Sequence, residues 1–386
     1  MTAKEKYKVG LIGAGRAGVP RARAFDMHPR CQLVAIADTD RANLELAAGR
    51  FGVPGYSSWD EMLAHHDLDI GVAVLPVRPN AAAVVALARA GVRSIFCEKP
   101  LTGSLADADR MVDETAARGI PLVCGVVVSS TPDYQRAYRL VAAGEIGDLV
   151  RINLYESNSQ LGTHGLNLAR RFAGRPATDF VVGWTSGDPN AESEDEHEDG
   201  TPGYGALGGY IRFCNGVEVF SSYQAPGHYW RGIEILGTEG TIFNSNNTVA
   251  GLHLFKGETG EQPRSFAQLQ EVEGAFLPFP SPAREQVFDA QGWLHPGEVM
   301  LGIVDEMVDN LEKGTPIGAS SGDDMRRALE LAVALRESAR RGHAAVKFPL
   351  ADRSLTMLPQ KSRWFYKKTL LGDAVYMEQL AAQKQD

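Results

Sequence analysis

Short apolar runs rich in β-branched residues punctuate the first third of the chain, at residues 7–12, 33–37, 70–75, 94–97 and 122–128. Between them lie alanine-rich stretches of helical periodicity at 18–25, 41–51, 81–90 and 106–118, with a shorter helix at 59–65. Strand–helix alternation of this kind predicts a parallel sheet covered by helices on both faces. After residue 130 the rhythm changes. Helices are expected at 132–143 and 164–172, and strands at 150–155, 177–184, 210–213, 218–224 and 232–236. The closely spaced strands, with Asn215-Gly216 as a tight turn, predict a largely antiparallel sheet. Two amphipathic helices follow at 299–312 and 323–341, the second with an apolar stripe of Leu329, Ala332, Val333 and Leu335.

The expected organisation is therefore a dinucleotide-binding domain over 1–128, a second α/β domain over 129–350 and a tail over 351–386. The tail carries Trp364-Phe365-Tyr366 and reads either as an intersubunit arm or as a packed terminus. A chain of 386 residues, 44% hydrophobic and 23% charged, can build both cores. Its net charge of −9 argues against nucleic acid or an anionic membrane as a partner. The acidic run 192–199 reads as a solvated loop, and its His197 is not taken as a metal ligand. No metal site is expected. Cys31, Cys97, Cys124 and Cys214 have no CxxC spacing and are expected to be reduced, buried thiols. With no signal-peptide pattern and no apolar run near 20 residues, the reading is of a soluble cytoplasmic protein.

The first strand runs into Gly13-Ala14-Gly15-Arg16-Ala17-Gly18, a GxGxxG that opens a helix. Glycines there permit a tight turn and a close approach of backbone N–H groups to a pyrophosphate at the helix N-terminus. Asp38, at the end of the next strand, lies where a carboxylate binds ribose hydroxyls. It would repel a 2′-phosphate, as would Asp40, so NAD is expected in preference to NADP; Arg41 could soften that repulsion. The competing reading has Asp38 capping the following helix.

The stretch SIFCEKPLT, residues 94–102, sends an apolar strand straight into Glu98-Lys99-Pro100. Ligands bind at the carboxyl ends of parallel strands, so these residues are expected to share a crevice with the glycine loop. Lys99 can donate to a substrate hydroxyl and stabilise negative charge, Glu98 can orient it, and Pro100 fixes the turn.

Taken together, the glycine loop, Asp38, Glu98-Lys99-Pro100, the turn Gly237-Thr238-Glu239-Gly240-Thr241 and the helix from Asp323-Asp324 resemble the Gfo/Idh/MocA oxidoreductases. The resemblance implies an N-terminal Rossmann domain and a C-terminal α/β domain with an open sheet that shapes the substrate pocket and often the oligomer contact. It implies NAD-dependent, reversible oxidation of a secondary hydroxyl on a sugar, inositol or sugar derivative by a homo-oligomer, a dimer or tetramer. Lys99 maps onto the family's lysine and His164 onto the histidine that opens a helix; an imidazole with a reference pKa near 6.5 suits proton transfer. Helix capping is the other reading of His164. Leu75, Pro76 and Asn80 fall in the nucleotide loop at the end of the third apolar strand, alongside Glu98 and Lys99 as cofactor contacts.

Three positions depart from the family pattern. Gln160 stands where an aspartate is common, Asn80 where a histidine is, and Ser129-Ser130 replace an arginine-containing segment. Substrate contacts are sought at Tyr155, Asn158, Gln160, His164, Tyr223, His228 and Trp230, whose aromatic faces and polar tips suit a sugar. Tyr223 and Trp230 could equally be sheet packing. Two alternatives accompany this reading: a glycoside-cleaving enzyme that uses bound NAD transiently, and a non-catalytic nucleotide sensor.

Overall fold

The computed structural model describes residues 5–155, 163–193, 203–222, 232–245, 251–257, 270–272 and 296–358. The first part of the chain builds β1 (Tyr7–Ile12), α1 (Gly18–Met27), β2 (Cys31–Ala37), α2 (Arg41–Phe51), β3 (Gly55–Tyr56) and α3 (Trp59–His65). It continues with β4 (Ile70–Ala73), α4 (Asn80–Arg89), β5 (Ser94–Cys97), α5 (Leu105–Ala116) and β6 (Leu122–Cys124). The strands form one sheet in the order β3-β2-β1-β4-β5-β6, and every neighbouring pair is parallel. Sequence order reverses between β1 and β4, which opens a crevice at their carboxyl ends.

Strand alternation divides the apolar side chains between two layers. Val9, Leu11, Leu33, Val72 and Phe96 point to one face, while Ile12, Ala73, Ile95 and Cys97 point to the other. The first face is covered by α1 and, from far along the chain, by α8 (Glu298–Lys313). Met300, Ile303, Val304, Met307 and Val308 of α8 share a cluster with Val9, Leu11 and Phe25. The second face meets α3, α4 and α5.

Beyond β6 come α6 (Pro132–Ala142), β7 (Leu149–Leu154), α7 (Gly165–Phe172), β8 (Thr178–Thr185), β9 (Leu207–Phe213) and β10 (Glu218–Ser221). Then follow β11 (Gly232–Gly237), β12 (Gly240–Ser245), β13 (Leu252–Lys256), β14 (Gln270–Glu271), and, after α8, α9 (Gly322–Arg340) and β15 (Val346–Lys347). These strands make a nine-stranded sheet, β14-β13-β12-β11-β7-β10-β9-β8-β15. It is antiparallel except at β7–β10, in keeping with the expected open, largely antiparallel sheet. Helices α6, α7 and α9 pack on one face, where Ile152, Leu154, Val181, Ile211 and Val219 are buried. Among the described residues no helix covers the other face. It carries Phe180, Tyr210 and Phe220 in a row of ring contacts at 5.8 and 5.1 Å between centroids, with the Arg151 guanidinium over Phe220.

Helix α9 is buried along most of its length because it is shared. It packs on α5 and β6 of the first sheet and on β8, β9 and β15 of the second. Charge fastens the same seam. Arg353 grips Asp109 of α5 with two bonds, at 2.7 and 2.8 Å, and reaches Glu330 of α9 at 2.7 Å. The chain from 350 to 358 thus returns to the first domain, and Met357 N–H donates to the Gly103 carbonyl. The rest of the expected tail, including Trp364-Phe365-Tyr366, lies outside the described residues.

Two expectations need correction. Cys214 is exposed in the turn after β9, although Cys31, Cys97 and Cys124 are buried free thiols as expected. The run 122–128 is not one strand: β6 stops at Cys124 and a short 3-10 turn takes Val127–Ser130. The Ser129 hydroxyl donates back to the Val126 carbonyl at 3.0 Å, which favours the turn over continued extension.

Candidate active site

The glycine loop sits at the crevice between β1 and β4. Gly13 has φ +94°, and a Cβ there would collide with the Val74 carbonyl at the end of β4. A Cβ on Gly18 would collide with the Gly13 carbonyl. The loop is therefore folded so tightly that both positions require glycine. Helix α1 then starts at Gly18 with no side-chain cap and no acidic residue in its first turn. Such an N-terminus is suited to an anion.

Asp38 follows β2 directly. Its Oδ2 accepts from the Ala14 N–H at 2.6 Å and its Oδ1 from the Asp40 N–H at 2.7 Å. The cap of α2 is Asp40, which accepts from the N–H groups of Ala42 and Asn43. Asp38 is thus turned to the glycine loop and not to the following helix. Arg41, the one nearby cation weighed from the sequence, is paired with Glu45 at 2.7 Å. A loop with no room for Cβ atoms, an uncapped helix start and a carboxylate at the end of β2 together fit a dinucleotide.

The Glu98-Lys99-Pro100 segment leaves β5 at the same edge of the sheet, and the Lys99–Pro100 peptide is cis. Glu98 N–H donates to the Ala73 carbonyl at 2.9 Å, which carries the sheet pattern one residue beyond β5. The Glu98 carboxylate accepts from Arg21 of α1 at 2.8 Å. Asn80 is wholly buried at the start of α4, and its Nδ2 donates to the carbonyls of Pro100 and Leu101, each at 3.2 Å. Its amide thus faces the backbone of the lysine loop. Leu75 is partly buried beside Gly13, and Pro76 is exposed. Beneath the loop, Cys97 and Cys124 lie opposite one another on β5 and β6. Burial pushes both thiols well above their ordinary range, so they stay neutral.

His164 immediately precedes α7, and its Nδ1 is buried. Asn167, one helical turn on, is wholly buried and donates to the Ser320 hydroxyl at 2.8 Å. That hydroxyl also meets the Ser129 hydroxyl at 3.0 Å, while the Ser320 carbonyl accepts from Cys124 N–H at 2.8 Å. A polar strut therefore runs from the end of β6, beside β5 and the lysine loop, to the first turn of α7. Ser129 also gives its carbonyl to Gln135 and Arg171.

Tyr155 sits elsewhere. Its hydroxyl donates to Glu234 at 2.7 Å, alongside Asn153, on the open face of the second sheet. Burial and the Glu234 carboxylate hold this phenol above its ordinary range. Asn158, Gln160, Tyr223, His228 and Trp230 lie outside the described residues, as does His197. Among the described residues no group of His, Cys, Asp and Glu side chains could hold a metal ion. Arg21 and Ser320 escaped the sequence reading. For Arg21 the available signal was its place three residues after Gly18 on the helix that the glycine loop opens.

Residues 7–126 match the model of an oxidoreductase family described as having an NAD-binding Rossmann fold, Gfo/Idh/MocA. The first domain is thus similar to the NAD-binding domain of the Gfo/Idh/MocA oxidoreductases. The chain is 30% identical over 141 residues to a myo-inositol 2-dehydrogenase of Thermotoga maritima, covering 36% of this chain and 42% of that protein. It is 25% identical over 262 residues to an NAD+-dependent scyllo-inositol 2-dehydrogenase of Bacillus subtilis, covering 62% and 74%. Across five such curated relatives, the matched part spans 38% to 44% of the relative's length. The solved structure of a levoglucosan dehydrogenase with NADH and levoglucosan superposes with a TM-score of 0.68 at 21% identity, over 90% of this chain and 100% of that one. At that identity the likeness speaks for the fold. The shared fold runs through the second sheet, beyond residues 7–126.

Proposed function

We propose that this Gfo/Idh/MocA chain is an NAD-dependent dehydrogenase that oxidises a secondary hydroxyl of an inositol, sugar or related polyol. The observation that carries the reading is the common edge of the first sheet, where the glycine loop, Asp38 and the Lys99 loop all leave carboxyl strand ends. The inositol dehydrogenases among its relatives support the substrate class. Asp38 supports NAD over NADP, since its carboxylate would repel a 2′-phosphate. The N–H groups of residues 15–17 would hold the pyrophosphate, with Leu75 and Pro76 flanking it. Bound NAD supplies the hydride acceptor.

The chain's own residues would handle the proton and the charge. The His164 imidazole, at the start of α7, would take the hydroxyl proton. The Lys99 ammonium donates to the same oxygen and stabilises the alkoxide as it forms. The domain limits at 128 and 350 and a cytoplasmic location, consistent with four free thiols, belong to this reading. So does a homo-oligomer assembled through the open sheet face with its Phe180–Tyr210–Phe220 row.

The test is incubation with NAD and a panel of inositols, polyols and glycosides, following NADH and free aglycone. NADH should accumulate with at least one polyol. Lys99→Ala should lower kcat by about 10²–10³-fold, and His164→Asn by a similar factor, while NAD still binds. NAD binding without turnover on the whole panel would defeat the proposal, and aglycone release without NADH would point instead to transient oxidation.

A further inference from the structure

The Glu98 carboxylate is positioned with some care. Its side chain is 9% exposed and that of Arg21 18%, and their contact is a single bond from Arg21 Nε to Oε2 at 2.8 Å. Opposite, Gly125 makes room for it: a Cβ at that position would stand 2.8 Å from the same oxygen. The backbone of Glu98 is fixed by its bond to Ala73. Carboxylate, guanidinium and glycine thus come from β5, α1 and the end of β6, three separate parts of the first domain. No sequence motif predicts Arg21, and the proposed chemistry leaves it without a role.

Glu98 and Lys99 are adjacent residues of opposite charge, the first buried and the second half-buried, where charges attract more strongly than in open water. A largely buried carboxylate that loses its partner carries an uncompensated charge and takes up the nearest cation. The nearest cation along the chain is Lys99. A lysine drawn to its neighbouring carboxylate would be turned from the crevice, and its positive charge would be quenched where it is needed.

We propose that Arg21 is a positioning residue: by holding the Glu98 carboxylate against α1, it keeps that charge off Lys99 and leaves the ammonium to the substrate. The role of Lys99 comes from the function proposed above; the arrangement of Arg21 and Glu98 does not. Because Arg21 lies on the helix that opens at the glycine loop, the lysine loop is tied to the cofactor helix as well.

Two readouts test this on the full-length protein, and one is independent of turnover. The rate at which acetic anhydride acetylates Lys99, measured by peptide mass spectrometry against the other lysines, reports the state of its amine. Arg21→Met should slow that rate by about threefold or more, because Glu98 then captures Lys99. Adding Glu98→Gln to Arg21→Met should restore it, and Arg21→Lys should stay near the wild-type rate. In turnover, Arg21→Met should lower kcat by about tenfold or more with NAD affinity little changed. Loss of packing alone would not be repaired by the second substitution.

An unchanged Lys99 rate in Arg21→Met, or a double variant as slow as the single one, overturns the proposal. Should Arg21→Met not fold, Glu98→Gln alone decides: Lys99 acetylation at or above the wild-type rate supports the proposal, and a fall overturns it. A wild-type protein that binds NAD but oxidises no polyol defeats the dehydrogenase reading, and the acetylation result still decides this one.

Discussion

Asn80 shows how much one side chain can fix. Its sequence position suggested a cofactor contact, but its amide hydrogens are directed to the carbonyls of Pro100 and Leu101. Replacing it with leucine leaves both carbonyls buried without donors. Asn80→Leu should therefore lose about 1–3 kcal/mol of stability, seen as a lower urea midpoint with an unchanged slope. A midpoint equal to wild type would show that the two bonds hold nothing. The residues legible from sequence, namely the glycines, Asp38 and Lys99, are those whose meaning is local: each belongs to a motif within a few positions. Arg21–Glu98 and Asn167–Ser320 are separated by 77 and 153 residues, and no periodicity connects partners so far apart.

Among elements, α9 is held at its start by a reciprocal cap between Ser321 and Asp324, with Arg175 adding two bonds to the Asp324 carboxylate at 2.7 and 3.3 Å. Burial pushes this carboxyl up, but the bonds from Arg175 and Ser321 outweigh it and leave it below the usual aspartate range. A depressed carboxyl stabilises the fold above its unfolded value, near pH 4, and that contribution disappears as pH falls through the folded value. The difference in melting temperature between wild type and Asp324→Asn should thus be constant from neutral pH to about 5 and close below about 4. A gap that persisted at acid pH would mean that the carboxylate charge is not what matters. Helices α2 and α3 were visible from the helical periodicity at 41–51 and 59–65, while their caps, Asp40 and Ser58, emerged only in the structure. The strands β3, β14 and β15 were not, for two residues carry no alternation; only pairing to a neighbour makes them strands.

At the scale of the molecule, the sheet face proposed above as the subunit contact carries an aromatic row. Phe220 is 41% exposed, and its ring is held between Tyr210 and Arg151. Contiguous aromatic surface of this kind is uncommon on a monomer. Phe220→Glu should shift the sedimenting species toward monomer without a matching fall in the melting temperature. An unchanged sedimentation coefficient would put the subunit contact elsewhere. The two sheets could be anticipated from alternation alone, whereas the way in which they are joined could not. Helix α9 presents an apolar stripe in sequence, yet it is buried nearly all round because it serves both sheets. Since α8 roofs the first sheet from near residue 300 and α9 abuts β6, a gene cut after the matched region would yield a sheet with one roof missing and one flank bare. The nucleotide fold is first in the sequence but last to be completed: a ribosome must deliver some two hundred further residues before its walls are whole.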